Sequence, residues 1–441
     1  MKIKLFKALS VILILPILFL CSCMKKDKAS VYFLNFKPEL ATAYNEIVAA
    51  YEKETGVKVK VTTAAANQYE QTLKSEIAKT AAPTIFQING PVGYNEWKDY
   101  CADLSDTKLY SILADKSLAV TDDGGVYGIP YVIEGYGIIY NDAIMKKYFS
   151  LKDKASKLSS AEEIKNFEEL EIVVKDMTAH LSDLGIEGVF GSTSMASGEN
   201  WRWTTHLANL PLYYEFKNDE NPTSALLNAD KVEFSNDNEF KQILDLYLEN
   251  SITPKNLLGS KSVADSMAEF ALSKVAMIQN GNWAWSQISE VEGNTVKEED
   301  IKFMPIFIGA DDEENQGLCI GTENYFAINK NVPPEQQKAS TDFLYWLFSS
   351  SEGKKLVYEK LGFITPFSTF SESEQPNDPL GRQVAKDITD SSTKTVPWVF
   401  TAMPGENFKK DFGDSLLDYV QGNKEFSEVS KIFKSSYERE R

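Results

Sequence analysis

The sequence is poor in the residue types on which most metal and phosphate sites depend. Its 441 residues include only His180 and His206 as histidines and four arginines. So few imidazoles argue against histidine-rich metal centres and multi-histidine catalysis, and so few guanidinium groups leave no arginine cluster for phosphate. No P-loop, no nucleophile elbow and no zinc-protease helix motif is present. Acidic pairs are abundant, but with 64 carboxylates they carry no specific signal for a glycosidase dyad.

Positive charge is also in short supply. The chain has 64 Asp and Glu against 46 Lys and Arg, which gives a formal charge of −18 and an isoelectric point near 4.8. Nucleic acid, whose binding depends on basic side chains, is therefore an unfavourable partner. The length predicts two or three packing units.

The N-terminus has the features of an export signal. Three lysines in the first seven residues precede the apolar stretch Ala8–Leu20, which is too short to cross a bilayer as a helix. The next residues, Cys21-Ser22-Cys23, resemble the lipobox of a bacterial lipoprotein. This implies a signal peptide over residues 1–22, a lipid on Cys23 and a tether over residues 23–30. Modification at Cys21 and an uncleaved anchor helix remain alternatives.

Two cysteines then remain in the body, Cys101 and Cys319. An oxidising setting would allow them to pair, but two isolated cysteines are more often small buried hydrophobes. We expect them to be unpaired.

Short apolar runs alternate with amphipathic helices from Val31 onward. Val31–Leu34 has the pattern of a strand, the next apolar residues repeat at helical spacing up to Thr55-Gly56, and residues 57–61 alternate as a strand. This βαβ order predicts an α/β fold with a mainly parallel sheet.

Two local patterns make more specific predictions. Ser160 and Glu163 have the spacing of a capping box, which would open a helix through Met177. Residues 311–314 (Asp-Asp-Glu-Glu) predict a solvated loop, since the alternating spacing of a calcium loop is absent.

Aromatic residues are the informative excess, with 25 Phe, 20 Tyr and 7 Trp. Several lie in polar, glycine-containing segments, namely those around Trp283, Trp201 and Tyr136. Trp283 and Trp285 are two residues apart and cannot share one helix face, so at least one is expected to point away from the core. Aromatic faces beside carboxylates and amides suit sugar rings, although burial in the core is the more common role of any single Trp.

The segment Met277–Ser286, which contains Asn280-Gly281-Asn282-Trp283-Ala284-Trp285, resembles the maltose-binding family of solute receptors of ABC transporters. The similarity extends to Tyr51–Val59, to the segment from Tyr127 through Glu134 to Asn141, and to Thr322–Asn329. It covers most of residues 31–441 and is loosest over residues 145–260.

The resemblance implies a two-lobed periplasmic-binding-protein (Venus flytrap) fold whose chain crosses between the lobes three times. It places the N-lobe at residues 31–134 and 299–332 and the C-lobe at residues 135–298 and 333–441. Hinges are expected near Glu134, Thr295 and Asn331.

The resemblance also implies a set of ligand contacts. Trp283 would stack against a sugar ring and Glu134 would accept hydrogen bonds at the hinge. Asn89 falls where the family has a polar N-lobe contact, while Trp201 and Phe408 fall near its C-lobe aromatics. By position in the loop after the first strand, Asn35, Lys37 and Glu39 are further candidates, with a solvated loop as the alternative. Tyr136 is a candidate because its ring lies in a polar, glycine-containing segment.

The implied protein is a monomeric, lipid-anchored receptor outside the cell membrane, which captures an oligosaccharide, possibly a malto-oligosaccharide, and delivers it to an ABC permease. It would need no cofactor or metal and would perform no chemistry. The N-lobe contacts of the maltose branch are not reproduced around Phe86–Pro91, which leaves the identity of the sugar open. The alternatives are a non-sugar solute in the same fold or, less favoured, a surface glycoside hydrolase.

Overall fold

The computed structural model describes residues 30–65 and 68–441, so the predicted signal peptide, Cys23 and most of the predicted tether lie outside the described residues. In chain order the strands are β1 Val31–Asn35, β2 Val59–Thr63, β3 Ile85–Asn89, β4 Val120–Asp122, β5 Gly125–Pro130, β6 Glu134–Asn141, β7 Gly188–Phe190, β8 Val275–Gly281, β9 Ile301–Met304, β10 Gln316–Gly321, β11 Asn324–Ile328 and β12 Lys394–Val396.

The helices cover both faces of the two sheets that these strands form. They are α1 Ala41–Thr55, α2 Tyr69–Ile77, α3 Gly90–Trp97, α4 Lys108–Ser111, α5 Asp142–Phe149, α6 Phe167–Ala179, α7 Leu181–Leu184, α8 Asn209–Phe216, α9 Pro222–Leu227, α10 Asp237–Glu249, α11 Val263–Ala271, α12 Ala284–Ser289, α13 Pro334–Ser349, α14 Ser351–Leu356, α15 Pro379–Thr389, α16 Glu406–Val420 and α17 Phe426–Arg439. No helix in this part of the chain has the length and apolar character of a membrane span.

The N-lobe is built on a six-stranded sheet with the order β2-β1-β3-β11-β5-β4. Strands β1, β2 and β3 are parallel, while β11 runs antiparallel to both β3 and β5. Helix α1 ends at Gly56, which has φ of 69°, a left-handed conformation that favours glycine at a helix C-terminus. This is the helix end that the sequence predicts.

The C-lobe is built on a second sheet with the order β12-β10-β6-β8-β7, and β9 pairs with β6 beside β10. Its larger core contains the helices of residues 142–260 and the two C-terminal helices α16 and α17. Cys319 lies buried in this sheet and Cys101 in the N-lobe, both as free thiols, so the prediction that they are unpaired is confirmed.

The chain crosses between the lobes at three places, but the lobe boundaries differ from those expected. Residues 299–321, expected in the N-lobe, form β9 and β10 and pair with β6 in the C-lobe sheet. Residues 334–367, expected in the C-lobe, pack into the N-lobe core through α13 and α14. The crossings therefore lie between β5 and β6, between β10 and β11, and over residues 371–378, rather than near Thr295 and Asn331.

Of the two local predictions, the capping box is wrong, and the solvated loop is correct at Asp311, Asp312 and Glu314 but not at Glu313. The helix expected to open at Ser160 begins at Phe167, where the Asn166 side chain accepts a hydrogen bond from Glu169 N at 2.9 Å; Ser160 makes no capping bond. Glu313 is buried rather than solvated, because its carboxylate accepts backbone N–H groups of Phe167, Ile308 and Gly309 at 2.6–2.9 Å.

Candidate functional site

A cavity of about 340 Å³ lies between the two lobes beside the first crossing. It is lined by residues of both lobes: Lys37, Glu39, Leu40, Glu134, Asn282, Trp283, Trp285, Ser286, Ser289, Glu298, Tyr358, Glu359, Lys360, Leu361, Gly362, Phe363, Asn377 and Asp378. Four of the predicted contacts, Lys37, Glu39, Glu134 and Trp283, are among them. We refer to this space and the walls around it as the cleft.

The floor of the cleft contains an ion pair that joins the lobes. Lys37 lies in the loop after β1, and its Nζ donates to Oε1 of Glu134, the first residue of β6, at 2.7 Å. The two residues are 7% and 4% exposed. Asn35 holds the loop in place, since its side chain bonds both the N–H and the C=O of Lys37.

Burial alone would lower the pKa of Lys37, but the charges of Glu134 and Glu39 outweigh it and raise the pKa overall. Lys37 is therefore a cation at neutral pH. The two predicted contacts at the hinge thus bind each other, and a ligand would meet them as a pair.

Aromatic rings form the C-lobe wall of the cleft. The ring of Trp283 lies 6.0 Å from that of Trp201 and 6.4 Å from that of Trp398, between centroids. A Cβ atom at Gly281 would overlap the Trp283 ring, so this glycine lets the indole lie across the end of β8. Asn282 fixes the turn by exchanging hydrogen bonds with the backbone of Gly135 in β6, each of 3.0 Å.

His206 lies behind these rings and contributes no charge. Its ring stacks on Tyr136 with centroids 4.2 Å apart and lies 5.4 Å from Trp283. Burial, reinforced by the positive charges of Arg202 and Lys37, lowers the pKa of His206 well below its usual range. The imidazole is therefore neutral and acts as part of the aromatic wall.

Several polar atoms at the cleft are buried without a hydrogen-bond partner. They include the indole N–H groups of Trp283 and Trp398 and the hydroxyl of Thr322, which lies in the second crossing. Trp398 packs directly over Gly321, where a Cβ would come within 2.6 Å of the ring. Buried polar groups in folded proteins are almost always bonded. The unpartnered atoms of these neighbouring residues therefore indicate a place for ligand hydroxyls.

Two carboxyl groups near the cleft titrate close to neutral pH. Burial, together with the charge of Glu134, raises the pKa of Glu323 to about 7. Burial and the charge of Glu96 likewise raise the pKa of Glu70 to about 7, although its carboxylate accepts a hydrogen bond from the Trp97 indole at 3.0 Å. The Lys409 ammonium of α16 acts electrostatically on both groups.

The remaining predicted contacts divide into two groups. Trp201 is half-buried beside Trp283, and Asn89 is half-buried at the N-terminus of α3, next to Gly90, whose backbone meets Thr401 of the C-lobe. Tyr136 and Phe408 are 0% exposed.

The two fully buried side chains do not reach the cleft. The hydroxyl of Tyr136 donates to the C=O of His206 at 3.0 Å, and Phe408 packs between Phe412, Phe433 and Tyr437. We therefore remove Tyr136 and Phe408 from the set of ligand contacts.

Trp398 and Thr322 are not among the contacts predicted from the sequence. Trp398 follows Pro397 in a segment with no periodic pattern, and its position over Gly321 depends on a contact between residues 77 positions apart in sequence. The usable signal was the resemblance over Thr322–Asn329, which includes Thr322 but did not mark it as a ligand contact.

The fold is shared with solved two-lobed structures. The chain is similar to a chitin oligosaccharide binding protein (17% identity, 94% of this chain and 99% of that chain, TM-score 0.71). It is also similar to a sugar transporter protein of Bacillus licheniformis in complex with stachyose (17% identity, 93% of this chain and 100% of that chain, TM-score 0.67). A third similar structure is a maltose-bound protein of T. maritima (12% identity, 93% of this chain and 99% of that chain, TM-score 0.69).

No curated protein sequence matches the chain. Residues 46–382, in contrast, match the family described as "Bacterial extracellular solute-binding protein". This span contains both sheets except β1 and β12, all three crossings and Glu134 of the cleft floor, whereas Lys37 lies before it. The chain therefore belongs to the bacterial extracellular solute-binding proteins.

Proposed function

We propose that this protein captures an oligosaccharide in the cleft and delivers it to an ABC permease without chemical change. The observation that carries the proposal is the group of unpartnered indole and hydroxyl donors (Trp283, Trp398 and Thr322) beside the half-buried rings of Trp283 and Trp201. A sugar ring matches both features, since its C–H face stacks on an indole while its hydroxyls bond the free polar atoms.

The relatives support a sugar as the cargo. Solved proteins of this fold include complexes with raffinose, with stachyose and with maltose. Those ligands belong to those proteins, and they support an oligosaccharide as the cargo proposed for this cleft.

Closure of the lobes would transmit binding to the permease. Because Lys37 and Glu134 belong to different lobes and line one cavity, a ligand that contacts both favours the closed arrangement. A permease that binds the closed surface would then receive only loaded receptors.

The first test is a thermal-shift screen of the fragment from Met24 to Arg441. The panel contains xylo-, malto-, chito- and raffinose-type oligosaccharides together with peptides and polyamines. A ligand that binds the folded state raises the melting temperature by mass action, so an oligosaccharide should raise it. A flat response to every sugar with a shift from a peptide or polyamine would refute sugar capture and keep the fold.

We further propose that Cys23 carries the lipid that holds the protein at the outer face of the cell membrane. The supporting observation is the sequence itself, in which a short apolar stretch ends at Cys21-Ser22-Cys23. A C23S variant expressed in a bacterial host should leave the membrane fraction, whereas C21S should remain there. If C21S left the membrane fraction and C23S remained, the lipid would be assigned to Cys21. If the variant with both substitutions remained in the membrane fraction, the N-terminus would be an uncleaved anchor helix.

A further inference from the structure

Arg202 is a buried cation at the edge of the aromatic wall. It is 2% exposed and begins the π-helix Arg202–Leu207, directly after Trp201. Its guanidinium carbon lies 3.8 Å from the centroid of the Trp201 ring, and its Nε donates to Asn280 Oδ1 at 3.2 Å. Asn280 belongs to β8, whose end also positions Trp283.

This guanidinium has no carboxylate partner. None of the ion pairs found among the described residues includes Arg202, and its buried NH1 atom has no hydrogen-bond partner. Glu199 and Glu39 act on it only electrostatically, and the Glu199 carboxylate is engaged by the backbone N–H of Val263 at 3.1 Å. Burial lowers the pKa of Arg202 to about 9, which leaves it charged at neutral pH.

The other cations around the cleft, Lys37, Lys360 and Lys409, are each paired with a carboxylate. The carboxylates of Glu39, Glu359 and Asp378 line the cavity, and the ion pairs found among the described residues include none of them. Lys37 is paired with Glu134 at 2.7 Å, and Lys409 with Glu406 at 3.1 Å. The raised pKa values of Glu70 and Glu323 leave a large fraction of both carboxyls neutral near pH 7. Arg202 is therefore a buried charge that still lacks a counter-charge, an arrangement that is costly unless a partner arrives.

Its position suits a partner carried by a ligand. The Trp201 ring, against which the guanidinium lies, is half-buried and adjoins Trp283, which lines the cavity. A carboxylate matches the planar donor face of a guanidinium and forms charge-assisted hydrogen bonds with it.

Building on the proposed function, we propose that the cargo is an acidic oligosaccharide, one that carries a uronic-acid carboxylate, and that Arg202 binds that carboxylate. One ring of the ligand stacks on Trp283, and a neighbouring ring presents its carboxylate to the NH1 side of Arg202.

Isothermal titration calorimetry on the fragment from Met24 to Arg441 tests this with matched sugar pairs. Each pair contains a uronic-acid oligosaccharide and a neutral counterpart of the same linkage and length, for example oligogalacturonates against their methyl esters, and glucuronate-substituted against unsubstituted xylo-oligosaccharides. We expect the acidic member of a pair to bind about tenfold more tightly or better, as one charge-assisted hydrogen bond would give.

Equal or tighter binding of the neutral members would overturn the acidic cargo while leaving sugar capture intact. Failure of every sugar, acidic and neutral, would instead refute the proposed function itself. The comparison uses the unaltered sequence, so it does not depend on the folding of a variant.

A variant assigns the preference to Arg202. R202Q should bind the acidic member no more tightly than its neutral counterpart, while binding of the neutral member stays within about twofold. Equal losses for both members would mean that Arg202 only supports the Trp201 ring. The control variant is R439Q, which alters an exposed arginine of α17 that pairs with Asp411 of α16. It should keep the preference of the unaltered protein for the acidic member.

Discussion

Some polar side chains around the cleft already have a bonding partner within the protein, and others do not. Lys37 and Glu134 satisfy each other, whereas Trp283, Trp398 and Thr322 have polar atoms with no partner. The first two set the geometry between the lobes, and the other three are free to bond a ligand. Substitutions in the two groups should therefore have different effects on stability and on affinity.

Trp283→Ala should weaken ligand binding far more than it weakens the fold. The indole is only half-buried, so its loss removes a stacking surface and an N–H donor from the cleft while leaving both cores intact. We expect the Kd to rise about tenfold or more in calorimetry and the thermal unfolding transition to remain cooperative. Tyr345→Ala, on α13 outside the cleft, is the matched control and should keep the affinity. Unchanged affinity in the Trp283 variant would show that its ring only packs.

The pair Lys37–Glu134 should show strong energetic coupling. K37M and E134Q each leave one buried partner without its counterpart, whereas the double variant removes both charges. We expect a coupling of about 1–3 kcal/mol in the free energy of unfolding, measured by urea denaturation of the four proteins. The exposed pair Lys58–Glu52, at 2.8 Å, gives the matched control cycle, with a coupling below about 1 kcal/mol. Equal couplings in the two cycles would contradict a structural role for the buried pair.

At the scale of elements, local patterns found β1, α1, β2 and α6 but misplaced some of their ends. The helix through Leu170 and Met177 is correctly predicted in its apolar face, yet it begins at Phe167, with Asn166 rather than Ser160 as its N-cap. Both residues are good capping types, and only the path of residues 160–166 decides between them. That path is fixed in part by Glu313, whose carboxylate accepts the N–H of Phe167 from 146 positions away.

Asn166→Ala should therefore cost more stability than Ser160→Ala. The Asn166 side chain satisfies the N–H of Glu169, and loss of such a cap costs about 1 kcal/mol. The Ser160 side chain makes no capping bond, so its substitution should change the free energy of unfolding by less than about 0.5 kcal/mol. Chemical denaturation of the two variants measures both values. A larger loss at Ser160 would restore the capping box expected from sequence.

The division into lobes shows where sequence reasoning reaches its limit. The α/β order and the crossing at Glu134 follow from alternating local patterns and from a resemblance around Tyr127–Asn141. The assignment of β9, however, depends on its pairing with β6, for example Ile139 with Phe303, and no local pattern encodes a partner so far away in sequence. The same limit applies to the site, where Trp283 was found by its polar setting but Trp398 and Thr322 were not.

At the scale of the whole molecule, the buried carboxyls near the second crossing should make stability depend on pH. The pKa of Glu323 is raised to about 7, mainly by burial and next by the charge of Glu134, with Lys37 and Lys409 opposing the shift. Between the ordinary glutamate pKa and 7, the folded state therefore binds more protons than the unfolded state. The free energy of unfolding must then fall as the pH rises through this window.

Glu323→Gln tests this origin of the pH dependence. The amide cannot ionise, so the loss of stability between pH 5 and pH 8 should be smaller in the variant than in the unaltered protein, although Glu70, also with a pKa of about 7, keeps part of the slope. Urea denaturation at several pH values measures the slope directly. Glu314→Gln removes an exposed carboxyl from the loop beside Glu313 and should leave the slope unchanged. A slope equal to that of the unaltered protein in the Glu323 variant would mean that this carboxyl remains ionised in the folded state, and the charge balance around Arg202 would then be more negative than we infer.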